Sequence, residues 1–180
     1  MVAMTFSLNI TAGADAFGDG SHPSTKLAMT ALEALAHLQG AQRALDMGCG
    51  SGILALQMAY QWHIPVLAAD IMGEAVEATR ANAAHNGLEA LVSAVRSDGY
   101  DHPTIAQDAP YDVICSNILA ELLVAQMHDL AAHLADEGVA ILSGILRAHA
   151  AKVEDAAAHA GLSLLQRLTL EDWVCLLVQK

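Results

Sequence analysis

Two hydrophobic periods alternate along this chain. Short, nearly continuous apolar runs read as buried strands; longer stretches with apolar residues every three or four positions read as amphipathic helices. The strands are predicted at 43–47, Val66–Asp70, 91–97, Tyr111–Asn117 and 139–142. The first helix starts at Pro23, with Leu27, Ala28, Ala31, Leu32, Leu35 and Leu38 on one face and Gly40 as its stop. The next two span Ile53–Trp62 and 73–86; the latter turns Ala75, Val76, Thr79 and Ala83 inward, with Gly87 just past its end. A fourth follows Asn117 and carries Leu119, Leu122, Leu123, Met127, Leu130 and Leu134 on its inner face. The last covers about 147–160 and ends at Gly161.

Three stretches break the rhythm. Residues 1–16 read as an extended lead-in, with Phe6, Leu8 and Ile10 alternating with polar neighbours. The segment 100–110 is irregular, with room for one helical turn. Two strands, 162–168 and 173–178, close the chain with no helix between them. The pattern predicts an α/β fold: a mostly parallel sheet with helices on both faces and an antiparallel C-terminal edge.

Composition narrows the class. A length of 180 residues suits one domain, and 54% hydrophobic against 16% charged residues describes a globular chain. Eight Lys+Arg face twenty Asp+Glu, a net charge of −12. That balance disfavours nucleic-acid backbones and suits a basic partner such as a Lys-rich protein segment. Cys49, Cys115 and Cys175 are too few and too scattered for a disulfide framework or a zinc site. No signal peptide or membrane-length apolar run is present, so a cytoplasmic setting is expected.

The candidate chemistry centres on Asp46-Met47-Gly48-Cys49-Gly50-Ser51-Gly52. Glycines at every second position allow a sharp turn and a close approach of backbone N–H groups to a ligand. Asp70 ends the next strand, where a nucleotide-binding unit places a ribose-reading carboxylate. A dinucleotide fold needs glycine where Ile53 stands, and the absence of Gly-Lys-Ser/Thr excludes a phosphate-binding Walker loop. Asp46 would repel a pyrophosphate but attract an ammonium. An adenosine carrying an amino acid, S-adenosylmethionine, satisfies both constraints. Asp98 and Asn117 end two further strands, at the edge where open parallel sheets bind ligands.

The chain resembles the catalytic domain of the ribosomal protein L11 methyltransferases, within the Rossmann-like class I methyltransferases. The resemblance is carried by AFGDGSHPST (16–25), LDMGCGSGILAL (45–56), Asp70 with EAVEATRANAAHNG (74–87), SNILAELL (116–123), LSGIL (142–146) and Trp173-Val174. It implies a seven-stranded sheet and S-adenosylmethionine as cofactor. It implies that Phe17 and Thr25 come from the loop over the cofactor, and that Gly48 supplies backbone at the methionine moiety. Asp70 would hold the ribose, and Asn117 would lie between cofactor and incoming amine as the catalytic residue. The broader class pattern adds Asp46, Gly50 and Gly52 at the methionine end and Asp98 at the adenine. No metal is needed.

Two features depart from the family pattern. Asp19 stands where the loop has a threonine, read either as a contact for a basic substrate or as a solvated charge. The family carries a separate N-terminal recognition domain, whereas residues 1–180 read as the methyltransferase domain alone. The expected reaction is methylation of a protein amine, lysine or N-terminal, on an L11-like substrate. An RNA or small-molecule methyltransferase, or a non-catalytic cofactor-binding protein, are the alternatives. His22 is read as a loop-stabilising residue, Cys49 as a backbone position, and Trp173 as packing.

Overall fold

The computed structural model describes residues 8–11, 20–37 and 40–180. Phe6, Phe17, Gly18, Asp19 and Leu38 lie outside the described residues, as do the expectations attached to them. The elements run α1 (Pro23–Ala34), β1 (Ala44–Met47), α2 (Ile53–Trp62), β2 (Val66–Asp70), α3 (Gly73–His85), β3 (Val92–Arg96), α4 (Pro103–Asp108) and β4 (Tyr111–Asn117). Then follow α5 (Ala120–His133), β5 (Leu134–Leu146), a short 3-10 turn (Arg147–His149), α6 (Ala150–His159), β6 (Ser163–Leu170) and β7 (Trp173–Gln179).

The strands form a single seven-stranded sheet in the order β3-β2-β1-β4-β5-β7-β6. The first five are parallel; β7 runs antiparallel to both β5 and β6. This is the Rossmann-like arrangement expected. β1 lies between β2 and β4, so the strand order reverses there, and a crevice opens at the carboxyl ends of β1 and β4.

Successive strand residues face opposite sides, so the sheet carries two cores. One joins Ala44, Ala68, Val113 and Ile141 to Leu27, Leu32, Leu56 and Val76 from α1, α2 and α3. The other joins Leu45, Leu67, Ile114 and Leu142 to Leu123, Met127, Leu130 and Val153 from α5 and α6. Full burial of β1 explains its mostly apolar run, which only Asp46 interrupts.

Several boundaries differ from the sequence reading. The inner stripe of α5 is Ala120, Leu123, Met127, Leu130 and Ala131. Leu119 is the residue before the helix and is 65% exposed; Leu122 lies off the stripe and is 47% exposed. Leu134 is buried as expected, but as the first residue of β5, opposite Tyr111. That pairing precedes a register irregularity, so β5 begins five residues earlier than its main apolar run suggests. α1 stops at Ala34 because the Leu35 N–H is shared between Ala31 and Leu32 carbonyls, tightening the last turn. The segment 103–108 is a full helical turn and more: the His102 ring caps it by accepting from Thr104 N–H, with Pro103 first in the helix. This repeats the His22-Pro23-Ser24 start of α1, so the signal was present in the sequence.

Candidate functional site

The loop after β1 is drawn across β2: the Gly48 and Cys49 N–H groups both donate to the Ala69 carbonyl, at 2.8 and 3.1 Å. Gly48 has a φ of 76°, and a Cβ there would collide with the Ile118 side chain. Only glycine fits both requirements. The back of the loop is held by α3. Thr79 Oγ1 lies 3.1 Å from the Gly50 carbonyl and 3.2 Å from Cys49 Sγ, and Asn82 Nδ2 donates to the Ser51 carbonyl at 2.8 Å. Thr79 is therefore polar on an inner face because it serves the loop, beyond packing its methyl. Sequence reasoning missed Asn82 altogether; a polar residue three positions after Thr79, toward the same loop, was the available signal.

A cavity of about 260 Å³ opens at the strand ends. Gly48, Gly50, Asp70, Asp98 and Asn117 line it, together with Ile118. These five are sequence-predicted residues brought together from β1, β2, β3 and β4. Both Asp70 oxygens are oriented by backbone: Oδ2 accepts from Gly50 N–H at 3.0 Å and Oδ1 from Met72 N–H at 2.9 Å. The turn carrying Asp98 is fixed by Ser97, whose hydroxyl donates to the Gly99 carbonyl at 2.7 Å and accepts from His102 N–H at 3.1 Å.

A second, apolar cavity of about 300 Å³ adjoins it. Its walls include His22, Ser24, Leu119 and Trp173; Asn117, Ile118 and Leu122 belong to both cavities. The exposure of Leu119 and Leu122 is thus explained: they face this cavity instead of the core. The Trp173 and His22 rings meet edge to face at 4.7 Å. His22 Nδ1 sits 2.8 Å from Ser24 Oγ and caps α1, a stabilising role in keeping with the sequence reading. Trp173 packs on the core and also walls the cavity.

Asn117 ends β4 at the partition. Its Nδ2 donates to Thr25 Oγ1 at 3.3 Å, while its buried Oδ1 has no hydrogen-bond partner among the described residues. Thr25 is 1% exposed and does not line either cavity; it reaches the site through Asn117. β5 approaches from the other side at a bulge centred on Gly144, whose φ is 79°. A Cβ there would strike the Ile118 carbonyl, so this glycine permits the partition to form.

Asp46 and Gly52 do not reach the wall. Gly52 precedes α2 at its N-terminus. Asp46 is 1% exposed beneath the loop, with Oδ2 accepting from Ala55 N–H at 3.0 Å and Oδ1 without a partner among the described residues. Burial pushes its carboxyl up to about 7, against the Ala55 bond and aided by the charge of Asp70. Burial, with the Asp46 charge, also pushes the Cys49 thiol well above its ordinary value, which suits no nucleophile. Among the described residues, no helix is long and apolar enough to cross a membrane.

Known proteins share this arrangement. Residues 3–180 match the family described as ribosomal protein L11 methyltransferase (PrmA). A ribosomal protein L11 methyltransferase of Mesorhizobium japonicum is 38% identical over 168 residues, covering 93% of this chain and 58% of the relative. Another, from Rhodopseudomonas palustris, is 36% identical over 165 residues, covering 92% and 56%. The crystal structure of ribosomal protein L11 methylase from Lactobacillus delbrueckii subsp. bulgaricus superposes with a TM-score of 0.78 at 31% identity, covering 86% of this chain and 77% of that one. The chain therefore spans little more than half the length of these curated relatives. Family match, identity and shared fold agree: this chain belongs to the ribosomal protein L11 methyltransferase family.

Proposed function

We propose that this domain binds S-adenosylmethionine in the cavity at the strand ends and methylates amines, with ribosomal protein L11 as the acceptor. The observation that carries this reading is Asn117. It sits on the wall common to a polar and an apolar cavity, with an unpartnered acceptor oxygen. An amine N–H is the donor such an oxygen lacks. The name shared by the family and the relatives above supplies L11.

The residues present fit the cofactor. Asp70 would hold the ribose hydroxyls, and its oxygens are already aimed by two backbone donors. Asp98 would serve the adenine amino group, and the loop at Gly48 and Gly50 the methionine portion. Asp46 lies behind that loop, where its orphaned oxygen favours a nearby ammonium through its field and not by wall contact. S-adenosylmethionine supplies a methyl group activated by a sulfonium. The chain's part is to present a neutral amine to it.

Neutralising a lysine at pH 7 costs roughly 4–5 kcal/mol, an α-amine only about 1 kcal/mol. The apolar cavity lowers that cost, because among the described residues its lining holds no carboxylate to stabilise an ammonium. Asn117 Oδ1 accepts one N–H and orients the lone pair without forming a salt bridge. Thr25 orients the Asn117 amide by accepting from its nitrogen, which leaves the oxygen as the group with acceptor capacity to spare. The remaining catalysis is positioning. The low basic content suits a Lys-rich acceptor in the cytoplasm better than RNA.

Incubation with methyl-labelled donor and purified L11 tests the reading. Label on L11 amines is expected, and Asn117→Ala should lower turnover on the order of a hundredfold while changing donor affinity far less. Incorporation only into RNA would overturn the acceptor class. Full turnover by the variant would remove Asn117 from the mechanism.

A further inference from the structure

Asn82 takes no part in the mechanism above, yet it is 1% exposed and its side chain makes three hydrogen bonds. Its Oδ1 accepts from both the Thr11 N–H, at 2.9 Å, and the Thr11 hydroxyl, at 3.0 Å. Its Nδ2 donates to the Ser51 carbonyl. One turn later Asn86 binds the Asn9 backbone in both directions, accepting from its N–H at 3.0 Å and donating to its carbonyl at 2.9 Å. Leu8 and Ile10 meanwhile pack against the core. Residues 8–11 are thus docked by alternating contacts, and one of them runs through a single amide group to the glycine loop.

We propose that Asn82 is a positioning residue for donor binding, coupling the docking of residues 8–11 to the geometry of the glycine loop. This rests on the donor reading given above. Ser51 lies between Gly50 and Gly52, both at positive φ. Flanking glycines offer little steric resistance to rotation of the peptides around Ser51. The bond from α3 therefore helps to set where its carbonyl points. The neighbouring Gly50 carbonyl is held on the same side by Thr79, leaving the Gly50 N–H on the cavity side, bound to Asp70. The Asn82 amide is rigid and planar. If Thr11 withdraws its two donors, Oδ1 loses both partners, and the group loses the orientation that serves Ser51. The coupling is reciprocal: donor binding, by fixing the loop, strengthens the docking of Thr11.

Calorimetric titration of the chain with S-adenosylmethionine tests this through a double-mutant cycle. Thr11→Val should weaken donor binding about fivefold, the scale of one lost, partly buried hydrogen bond. Thr11→Ser, which keeps both donors, should restore it. Asn82→Ala should weaken binding at least as much, and adding Thr11→Val to it should cost nothing further. Hydrogen exchange gives an independent readout: the donor should slow exchange at the Thr11 amide of the parent and not of Asn82→Ala. Thr11 is exposed, so its variants keep the fold even where Asn82→Ala does not. Parent-like affinity of Thr11→Val, or losses that simply add in the double variant, would overturn the coupling alone. A parent that binds no donor would overturn the donor reading and the coupling with it.

Discussion

Asp46 shows how much one side chain can owe to its surroundings. From the sequence it is a strand-end carboxylate; in the fold one oxygen is satisfied and the other is buried without a partner among the described residues. Its folded value of about 7 lies above the 3.8 of a free carboxyl. Between those values the native state keeps a proton that the unfolded chain has lost, so Asp46 makes stability fall as pH rises through this window. The full penalty is present above pH 7 and vanishes below about pH 4. Asn cannot ionise. Asp46→Asn should therefore gain on the parent by about 2–3 kcal/mol between pH 5 and pH 8, whatever their offset at pH 5. Urea unfolding at the two values measures it; an offset independent of pH would show that Asp46 does not titrate there. Asn117 makes the same point in a neutral group. Its position at a strand end was legible, but its orphaned oxygen depends on Thr25, far away in the chain.

At the scale of elements, α5 separates periodicity from burial. Leu119, Leu122, Leu123 and Leu130 look alike in the sequence, but only the latter two are in the core. Leu123→Ala should cost about 2–5 kcal/mol in chemical denaturation, whereas Leu122→Ser should stay within about 0.5 kcal/mol. A large loss at Leu122 would mean that its partly exposed face is structurally essential after all. The reason for the difference is the start of the helix. The chain leaves β4 at Asn117, passes Ile118 under Gly48 and against Gly144, and enters α5 only at Ala120. That detour sets the helix rotation and gives Leu119 and Leu122 to the apolar cavity. Apolar spacing alone fits either rotation. The bulge at Gly144 is similarly hidden, since only the approach of β5 to Ile118 shows why a side chain is excluded.

The whole molecule carries a net charge of −12. Attraction to a Lys-rich acceptor acts over distances that salt screens, with a Debye length of about 10 Å at 0.1 M. If L11 is the acceptor, as proposed above, its KM should rise as sodium chloride is raised from about 0.05 to 0.5 M, while donor affinity changes much less. A KM indifferent to salt would show that contact shape, and not charge, brings the acceptor to the domain.

The sequence by itself determined the alternation of strands and helices, the antiparallel tail, and the strand-end set Gly48, Gly50, Asp70, Asp98 and Asn117. These follow from local rules: hydrophobic period, turn chemistry, and the fact that parallel strands bring their carboxyl ends to one edge. Only the tertiary structure decided that Asp46 and Thr25 lie behind the wall, that Thr79 and Asn82 hold the loop, and that Ile118 and Leu122 line both cavities. Those assignments depend on helix rotation, on a bulge, and on contacts between residues as far apart as Thr25 and Asn117. A periodic pattern records that a residue is turned inward; which partner awaits it there is settled only when separate segments pack.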